Sequence, residues 1–206
     1  MKKIIFTVLL LAGTIHAQDL VKLTDGTEMN VKIAKQTPES VAFERGKSDL
    51  FYIIKEEIDE IRYENGTVEK IPHPEKSLDD IKANVVKLVN ENALAEKSGR
   101  KFTSHFEADF LRMIVLGSKS GEELNDGLLF DLSHVYVFDR ISFRDDNRAY
   151  LNIWTDRVRW PERSGKERMD KIKLIIRVND HEKASLLMFA FTELHKALKK
   201  EQIKNR

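Results

Sequence analysis

The sequence predicts an α+β fold in two parts: a small β meander or barrel and, after a connecting helix, an antiparallel sheet or barrel closed by a C-terminal helix. Three observations lead to this prediction. Apolar and polar residues alternate with a period of two across residues 19–72 and again across residues 102–178, as in strands with one buried face. A helical stripe of apolar residues separates these regions, and an apolar helical segment follows the second. The predicted parts are residues 18–75, 76–99 and 100–206.

The first 17 residues predict a secretory signal peptide. Met1–Lys3 is basic, Ile4–Ile15 is apolar and uncharged, and Ala17 supplies the small residue before the cleavage point. The apolar run is too short to span a bilayer, which takes about 20 residues. We therefore expect cleavage after Ala17 and an exported protein that is periplasmic, associated with the outer envelope, or secreted. The alternative is an apolar N-terminal helix packed in a core.

The composition excludes several classes of protein. The 206 residues include no cysteine, so the chain has no disulfide and no lipid-modified cysteine; together with the signal this is typical of a bacterial protein. Removing residues 1–17 takes away Lys2 and Lys3 and no acidic residue, which changes the formal charge from +1 to −1. A near-neutral chain has no overall electrostatic attraction to nucleic acid. The remaining sequence has no other long apolar run, so we expect no transmembrane segment after signal cleavage.

Residues 18–75 predict five or six short strands. Residues 28–33 alternate between polar and apolar, and Leu50–Ile54 is a denser apolar run. Asp25-Gly26 and Asn65-Gly66 each predict a two-residue turn between paired strands, because Asn, Asp and Gly tolerate the positive φ that such turns need. Asn65 also begins an Asn-Gly-Thr pattern for N-glycosylation, but a bacterial export route favours the turn.

Two stretches of this first part carry a resemblance. The stretches "DLVKLTDGTEMNVKI" (residues 19–33) and "IIKEEIDEIRYENGT" (residues 53–67) resemble a short β module found near the start of many secreted bacterial proteins of uncharacterised role. The shared features are Asp-Leu at the start of the module, a Leu-x-Asp-Gly turn, and an Ile-x-Tyr-x-Asn-Gly motif at its end. The resemblance implies a compact β fold and an envelope setting, and it brings no catalytic residues.

A connecting helix is predicted after Pro72-His73-Pro74, where proline ends the β region. Ser77 and Asp80 fit a capping box at the start of the helix. The apolar stripe contains Ile81, Val85, Leu88 and Val89. Gly99 fits a C-terminal cap, so we expect one helix over residues 78–98.

The segment after residue 100 predicts a second β region and a last helix. The strand signals are clearest at Leu128–Phe138 and Lys171–Val178. Asn179 is predicted to cap the final helix, with Glu182 three residues on, and Ala184–Phe191 is apolar almost all round. A β region closed by one C-terminal helix is similar in architecture to a PH-like barrel, a likeness that says little about function.

No motif predicts catalysis, a metal or a cofactor. The histidines lack the spacing of a zinc site, and no serine lies in a Gly-x-Ser-x-Gly elbow. Asp145-Asp146-Asn147 is the densest acidic cluster, but it lacks the spacing of a calcium loop and indicates a hairpin turn. We therefore expect no enzyme activity and no cofactor, and keep a hydrolase of unrecognised type as an alternative.

The segment Asn152–Arg168 combines tryptophan with arginine, as binding hot spots do. Tyr150, Trp154, Val158 and Trp160 share one parity of a strand, opposite Leu151 and Ile153. The alternative is that the tryptophans pack beneath the 78–98 helix or between sheets while the arginines are solvated. The candidate surface consists of Trp154, Arg157, Arg159, Trp160 and Arg163.

These observations predict an exported, non-enzymatic protein that acts through protein or surface contacts. The expected partner is an envelope protein or a surface glycan, not nucleic acid. The alternative function is binding of a small apolar or lipid-like ligand under the C-terminal helix, because Leu186–Phe191 is apolar and faces a long β region. The sequence does not predict an oligomeric state.

Overall fold

The computed structural model describes residues 18–45, 49–159 and 168–204 and confirms the α+β class. Its described part contains two helices, α1 and α2, and fourteen strands, β1–β14, in three antiparallel sheets. The predicted signal peptide, residues 1–17, lies outside the described residues. Neither described helix is both long enough and apolar enough to cross a membrane.

Seven strands form the first unit, in two small sheets. One sheet has the order β2-β1-β6-β7 and the other the order β3-β4-β5. The unit has its own apolar core, because side chains from both sheets pack together: Val21, Val31, Val41, Ile58 and Ile61. The strands are β1 (Asp19–Leu23), β2 (Glu28–Val31), β3 (Ile33–Gln36), β4 (Ser40–Arg45), β5 (Asp49–Ile54), β6 (Ile58–Arg62) and β7 (Val68–Lys70).

The hairpin turns of this unit lie where the sequence predicts them, but they are longer than predicted. Gly66 N–H donates to the Tyr63 carbonyl at 2.9 Å, and Tyr63 N–H donates to the Thr67 carbonyl at 2.8 Å, which encloses a three-residue loop. Only the glycine has positive φ, +82°; the expectation of positive φ at Asn65 is wrong. The Asn65 side chain instead accepts a hydrogen bond from Thr67 N–H at 2.9 Å. This is a type I turn with the glycine at the left-handed position.

The turn between β1 and β2 has the same pattern. Gly26 has φ +87° and donates to the Leu23 carbonyl, while Asp25 accepts from Thr27 N–H at 2.8 Å. The repeated Asx-Gly-Thr sequence therefore specifies one loop geometry twice.

The connecting helix α1 (Leu78–Asn92) begins as predicted and ends early. The capping box is confirmed: Asp80 N–H donates to Ser77 Oγ, and Ser77 N–H donates to the Asp80 carboxylate. The predicted end at residue 98 is wrong, because the backbone becomes extended at Ala93 and forms β8 (Leu94–Ala95) against the last strand of the sheet. Gly99, with φ +63°, lies in the turn after β8 and does not cap the helix.

The second unit consists of a seven-stranded sheet and the helices packed on it. This sheet forms a barrel that is nearly closed. Its order is β8-β14-β13-β11-β10-β9, and a bridge between Leu94 of β8 and Lys101, the residue before β9, connects the two ends of the sheet. The short β12 pairs with β13 across the turn at residues 145–147, so that predicted hairpin is confirmed. The strands are β9 (Phe102–Glu107), β10 (Phe110–Val115), β11 (Leu128–Phe138), β12 (Ser142–Phe143), β13 (Ala149–Arg159) and β14 (Arg168–Val178).

The C-terminal helix α2 (His181–Lys204) packs against the barrel and α1. Its buried side chains join the barrel core, with Leu187, Phe191 and Leu194 fully buried. The N-cap is Asp180, whose carboxylate accepts from Lys183 N–H at 2.9 Å. The prediction of Asn179 as the cap is wrong by one residue, because Asn179 instead accepts from Arg177 Nε.

Helix α2 also holds the two units together. The Glu182 carboxylate accepts hydrogen bonds from Thr37 Oγ1 at 2.7 Å and from Ser40 Oγ at 2.8 Å, and both hydroxyls belong to the first unit. The rings of Phe51 and Phe143 meet edge-on across the same junction, 6.5 Å apart. The first unit is therefore docked on the second.

Candidate functional site

Strand β13 places Trp154 on the outer face of the barrel. Leu151 and Ile153 are fully buried and point inward, while Trp154, of opposite parity, is half-buried on the outside. In the register of the sheet, Trp154 lies between Val137 of β11 and Lys173 of β14. The predicted opposition between Trp154 and the core-facing residues is confirmed.

The structure does not place Arg157 beside Trp154. Arg157 has the parity of Ile153 and pairs with Phe130, a core residue, and with Asp170. Its Nη2 atom lies 3.7 Å from Asp170 Oδ2, and within the described chain its buried Nε has no hydrogen-bond partner. Residues separated by an odd number of positions in a strand face opposite ways, so a tryptophan and an arginine three apart cannot share a face.

The other predicted surface residues cannot be placed with Trp154. Arg159 ends β13, but its side chain lies outside the described part of the structure. Trp160 and Arg163 lie in residues 160–167, which are also outside it.

Lysines, not arginines, surround Trp154. Lys171 Nζ and Lys173 Nζ each lie 5.7 Å from the centre of its indole, and Lys171 Nζ lies 4.2 Å from the centre of the Tyr136 ring. These distances fall within the range of cation–π attraction. We call this surface the aromatic–lysine face; it consists of Tyr136, Val137, Trp154, Lys171 and Lys173.

The aromatic–lysine face is open to solvent at its aromatic end. Tyr136 is 52% exposed and Val137 is 47% exposed. Both point outward because a bulge in β11 sets two residues against one of β13. The Tyr136 hydroxyl donates to Asp156 at 3.0 Å, and this bond to the carboxylate raises the pKa of Tyr136. The phenol therefore remains protonated and keeps a fixed orientation at neutral pH.

Sequence reasoning missed Lys171 and Lys173, although a signal for them was present. They alternate with Ile172 and Leu174, so they face away from the core. Only the pairing of β13 with β14 brings them beside Trp154, and a pairing register cannot be read from one strand alone.

An open cavity of about 610 Å³ lies against the barrel wall. Its floor is apolar, and its rim carries Glu96, Asp126 and Lys173. Pockets that hold small ligands have volumes of roughly 300–1,000 Å³. The described apolar residues of the lining are Phe102, Met113, Val115, Leu128, Phe130, Ile172, Leu174 and Ile175.

The cavity does not lie under the C-terminal helix. Its described lining comes from β9, β10, β11, β14 and the loops next to them, and includes no residue of α2. The inner side of α2 is instead closely packed, since Leu187, Phe191 and Leu194 are fully buried. Within the segment Leu186–Phe191, Phe189 lines a different and smaller cavity of about 340 Å³. A ligand site under the helix therefore stays a prediction.

A second cavity, of about 340 Å³, lies where the two units meet. Lys76 lies in its wall and donates hydrogen bonds to Glu56 of the first unit and to Glu193 of α2. Burial opposes the charge of Lys76, but these bonds to carboxylates outweigh it and raise the pKa of Lys76. The half-buried cation is thus already paired, and this cavity is best explained as part of the junction.

An Asp-Ser-His group at the bulge of β11 has the residue types of a catalytic triad but not its geometry. Asp131 and Ser133 are buried, whereas the His134 side chain is 60% exposed. Asp131 Oδ2 and Ser133 Oγ both approach the same nitrogen of His134, Nδ1, at 2.7 and 3.1 Å. In a triad the nucleophile and the carboxylate bond to opposite ring nitrogens, so that the ring can move a proton between them. Ser133 Oγ also donates to Asp131 Oδ1. These contacts stabilise the bulge.

Within residues 18–45, 49–159 and 168–204, no three His, Asp or Glu side chains are grouped closely enough to hold a metal ion. Comparison of the chain with protein-family models, with curated proteins and with solved structures finds no match. The likeness of residues 19–67 to a module of secreted bacterial proteins, the PH-like architecture and the absence of enzyme activity therefore stay predictions.

Proposed function

We propose that this chain is an exported, non-enzymatic binding protein of the bacterial envelope that contacts its partner through the aromatic–lysine face. The observation that carries the proposal is the arrangement of Tyr136, Val137 and Trp154 beside two lysines on one outer sheet face. Aromatic side chains with adjacent cations are enriched where proteins bind one another. The exported location rests on the sequence of residues 1–17.

The aromatic–lysine face also favours a protein partner over nucleic acid. It carries Asp156 next to Tyr136, and the whole chain is near neutral. A surface that binds nucleic acid needs a basic stripe to neutralise several phosphates. Two lysines beside two carboxylates, those of Asp156 and Asp139, are better suited to a mixed polar and apolar protein surface.

The test is capture of envelope proteins on the immobilised chain, with and without the aromatic side chains. We expect the double variant Tyr136→Ala/Trp154→Ala to retain at most about a tenth of the partner bound by the wild type, because aromatic hot spots contribute at least about 2 kcal/mol each. Quantitative mass spectrometry of the eluates measures the ratio. Val68→Ala is the matched control, since Val68 is 51% exposed on the other unit. Equal capture by the double variant and the wild type would overturn the proposal.

The apolar cavity favours a second candidate function, the binding of a small apolar ligand. Its volume of about 610 Å³ and its apolar floor suit such a ligand. Titration with a fluorescent long-chain fatty acid tests this candidate, and a Val115→Phe variant, which reduces the cavity, should weaken the binding. Binding that is unaffected by this variant would place the fatty acid elsewhere and remove the candidate.

A further inference from the structure

Strand β14 has a free edge over most of its length. All 11 of its residues pair with β13 on one side. On the other side only Ile176 and Arg177 pair, with the two residues of β8. Within the part of the chain that the structure describes, no strand pairs with this side of β14 from Lys171 to Ile175. Each second residue of that stretch has its backbone N–H and C=O directed at the gap.

The 610 Å³ cavity lies along this free edge. Ile172, Lys173, Leu174 and Ile175 all line it. Successive side chains of a strand point to opposite faces, so four consecutive residues can line one cavity only if it lies beside the backbone at the strand's edge. The opposite wall belongs to β9, β10 and the chain before β11, at Phe102, Met113 and Gly127. The gap in the barrel is therefore bounded by a strand edge on one side and by apolar side chains on the other.

We propose that the free edge of β14 receives an extended peptide segment of the partner protein, in which apolar residues alternate with acidic residues. This proposal rests on the proposed function and names the kind of segment that is bound. The segment adds one antiparallel strand to the sheet, so that its backbone hydrogen bonds supply affinity and its alternate side chains supply specificity. The segment pairs with the part of the β14 edge that precedes Ile176, where β8 no longer pairs with β14.

The expected alternation of apolar and acidic residues in the bound segment follows from the side chains of β14. Ile172 and Leu174 face the barrel interior, so the residues of the incoming strand on that face enter the apolar cavity. Lys171 and Lys173 face outward. Lys173 Nζ lies 3.7 Å from Asp139 Oδ2, a long and partly exposed ion pair, so the residues opposite the two lysines are best matched by carboxylates. Glu96 and Asp126 lie at the cavity rim and disfavour acidic residues on the inner face.

The same lysines disfavour a second copy of this chain as the occupant. An antiparallel pairing of β14 with itself over residues 169–175 sets the two lysines of one copy against those of the other. Like charges directly opposite destabilise a strand pair, and edge lysines are a common protection against self-association.

The experiment uses the chain lacking residues 1–17 and three capped seven-residue peptides. The first alternates glutamate and valine; the second has the same composition with the glutamates in one block; the third alternates lysine and valine. Titration calorimetry measures the affinities, and amide hydrogen exchange followed by NMR locates the site. We expect the first peptide to bind at least tenfold more tightly than the other two, and to slow the exchange of alternate amides between Lys171 and Ile175.

Two further variants separate strand addition from general attraction. The charge-reversal variant Lys171→Glu/Lys173→Glu should reverse the preference, so that the lysine peptide binds more tightly than the glutamate peptide. Methylating the amide nitrogens on one side of the glutamate peptide should abolish its binding, whereas methylating those on the other side should not. A thermal unfolding curve for the variant confirms that it is folded, and the methylated peptides test the site on the unaltered protein.

Three results would overturn the inference. The first is that the glutamate peptide does not bind at about 1 mM. The second is that it binds but does not slow the exchange of the β14 amides. The third is that both methylated peptides bind equally well. If the fatty acid occupies the cavity and no peptide binds, the small-ligand function is supported instead. If peptides fail while capture of the partner still depends on Tyr136 and Trp154, the proposed function stands and only strand addition fails.

Discussion

At the scale of single residues, glycine and its neighbours determine the two hairpins of the first unit. In both loops the residue before the glycine accepts a bond from the following threonine N–H, at 2.8 and 2.9 Å. The Asx side chain fixes the loop, and the glycine supplies the left-handed backbone. The sequence was enough to locate these turns, but not to tell a two-residue loop from a three-residue one.

We predict that Gly66→Ala lowers the free energy of unfolding by about 1–2 kcal/mol, because alanine at φ +82° is strained. Gly66→Asn should cost less than Gly66→Ala, since asparagine enters this region more readily. Urea denaturation measures both variants. Among the described residues, apart from the two neighbours of Gly66 in the chain, no heavy atom lies within 4 Å of a Cβ built on Gly66, so a clash would not explain the loss. Equal losses for Ala and Asn would contradict the backbone explanation.

Arg157 shows the limit of composition as a guide to a site. Tryptophan and arginine are close in the sequence, yet the pleat of a strand separates Trp154 from Arg157 and turns the arginine toward Asp170. The odd spacing of positions 154 and 157 can be read from the sequence, and in a strand it predicts that the two side chains lie on opposite faces. Lys171 and Lys173 were not predictable in the same way, because their position depends on pairing with another strand.

At the scale of the elements, local signals were reliable where nothing distant competes with them. The apolar-rich stretch Leu128–Phe138 corresponds to β11, and the capping box at Ser77 begins α1. The end of α1 was not predictable. The residues after Asn92 favour a helix, but Leu94 and Ala95 pair with β14, and this distant partner overrides local propensity.

We predict that Asp180→Ala destabilises the protein by about 1 kcal/mol, because the first turn of α2 loses its side-chain cap. Asn179→Ala, one residue earlier, should change the free energy of unfolding by less than about 0.5 kcal/mol, since its side chain bonds only at the surface. Chemical denaturation of both variants makes the comparison. The reverse order of effects would restore Asn179 as the cap.

At the scale of the whole molecule, helix α2 makes two units behave as one. It supplies seven buried side chains to the core and, through Glu182, bonds to two hydroxyls of the first unit. The two β regions and the last helix were predictable from periodicity. Their docking was not, because Thr37 and Ser40 lie more than 140 positions from Glu182 in the sequence.

We predict that Glu182→Ala costs about 1–3 kcal/mol, because the hydroxyl of Ser40, which is 1% exposed, loses its carboxylate partner. Glu201→Ala on the same helix is the matched control and should cost less than about 0.5 kcal/mol, because the ion pair of Glu201 with Lys204 in the described part of the chain lies at the surface. Urea denaturation gives both values. A loss no larger than that of the control would mean that the two units are held together by other contacts.

The position of α2 after all fourteen described strands has a consequence for the order of events during synthesis. A ribosome releases the β strands first, and the last 24-residue helix emerges only when every strand is already made. Until then the barrel lacks Phe191 and Leu194, and the first unit lacks Glu182. The nascent chain therefore stays incompletely folded until α2 has been made, and up to that point it can still pass through a narrow channel in an extended form.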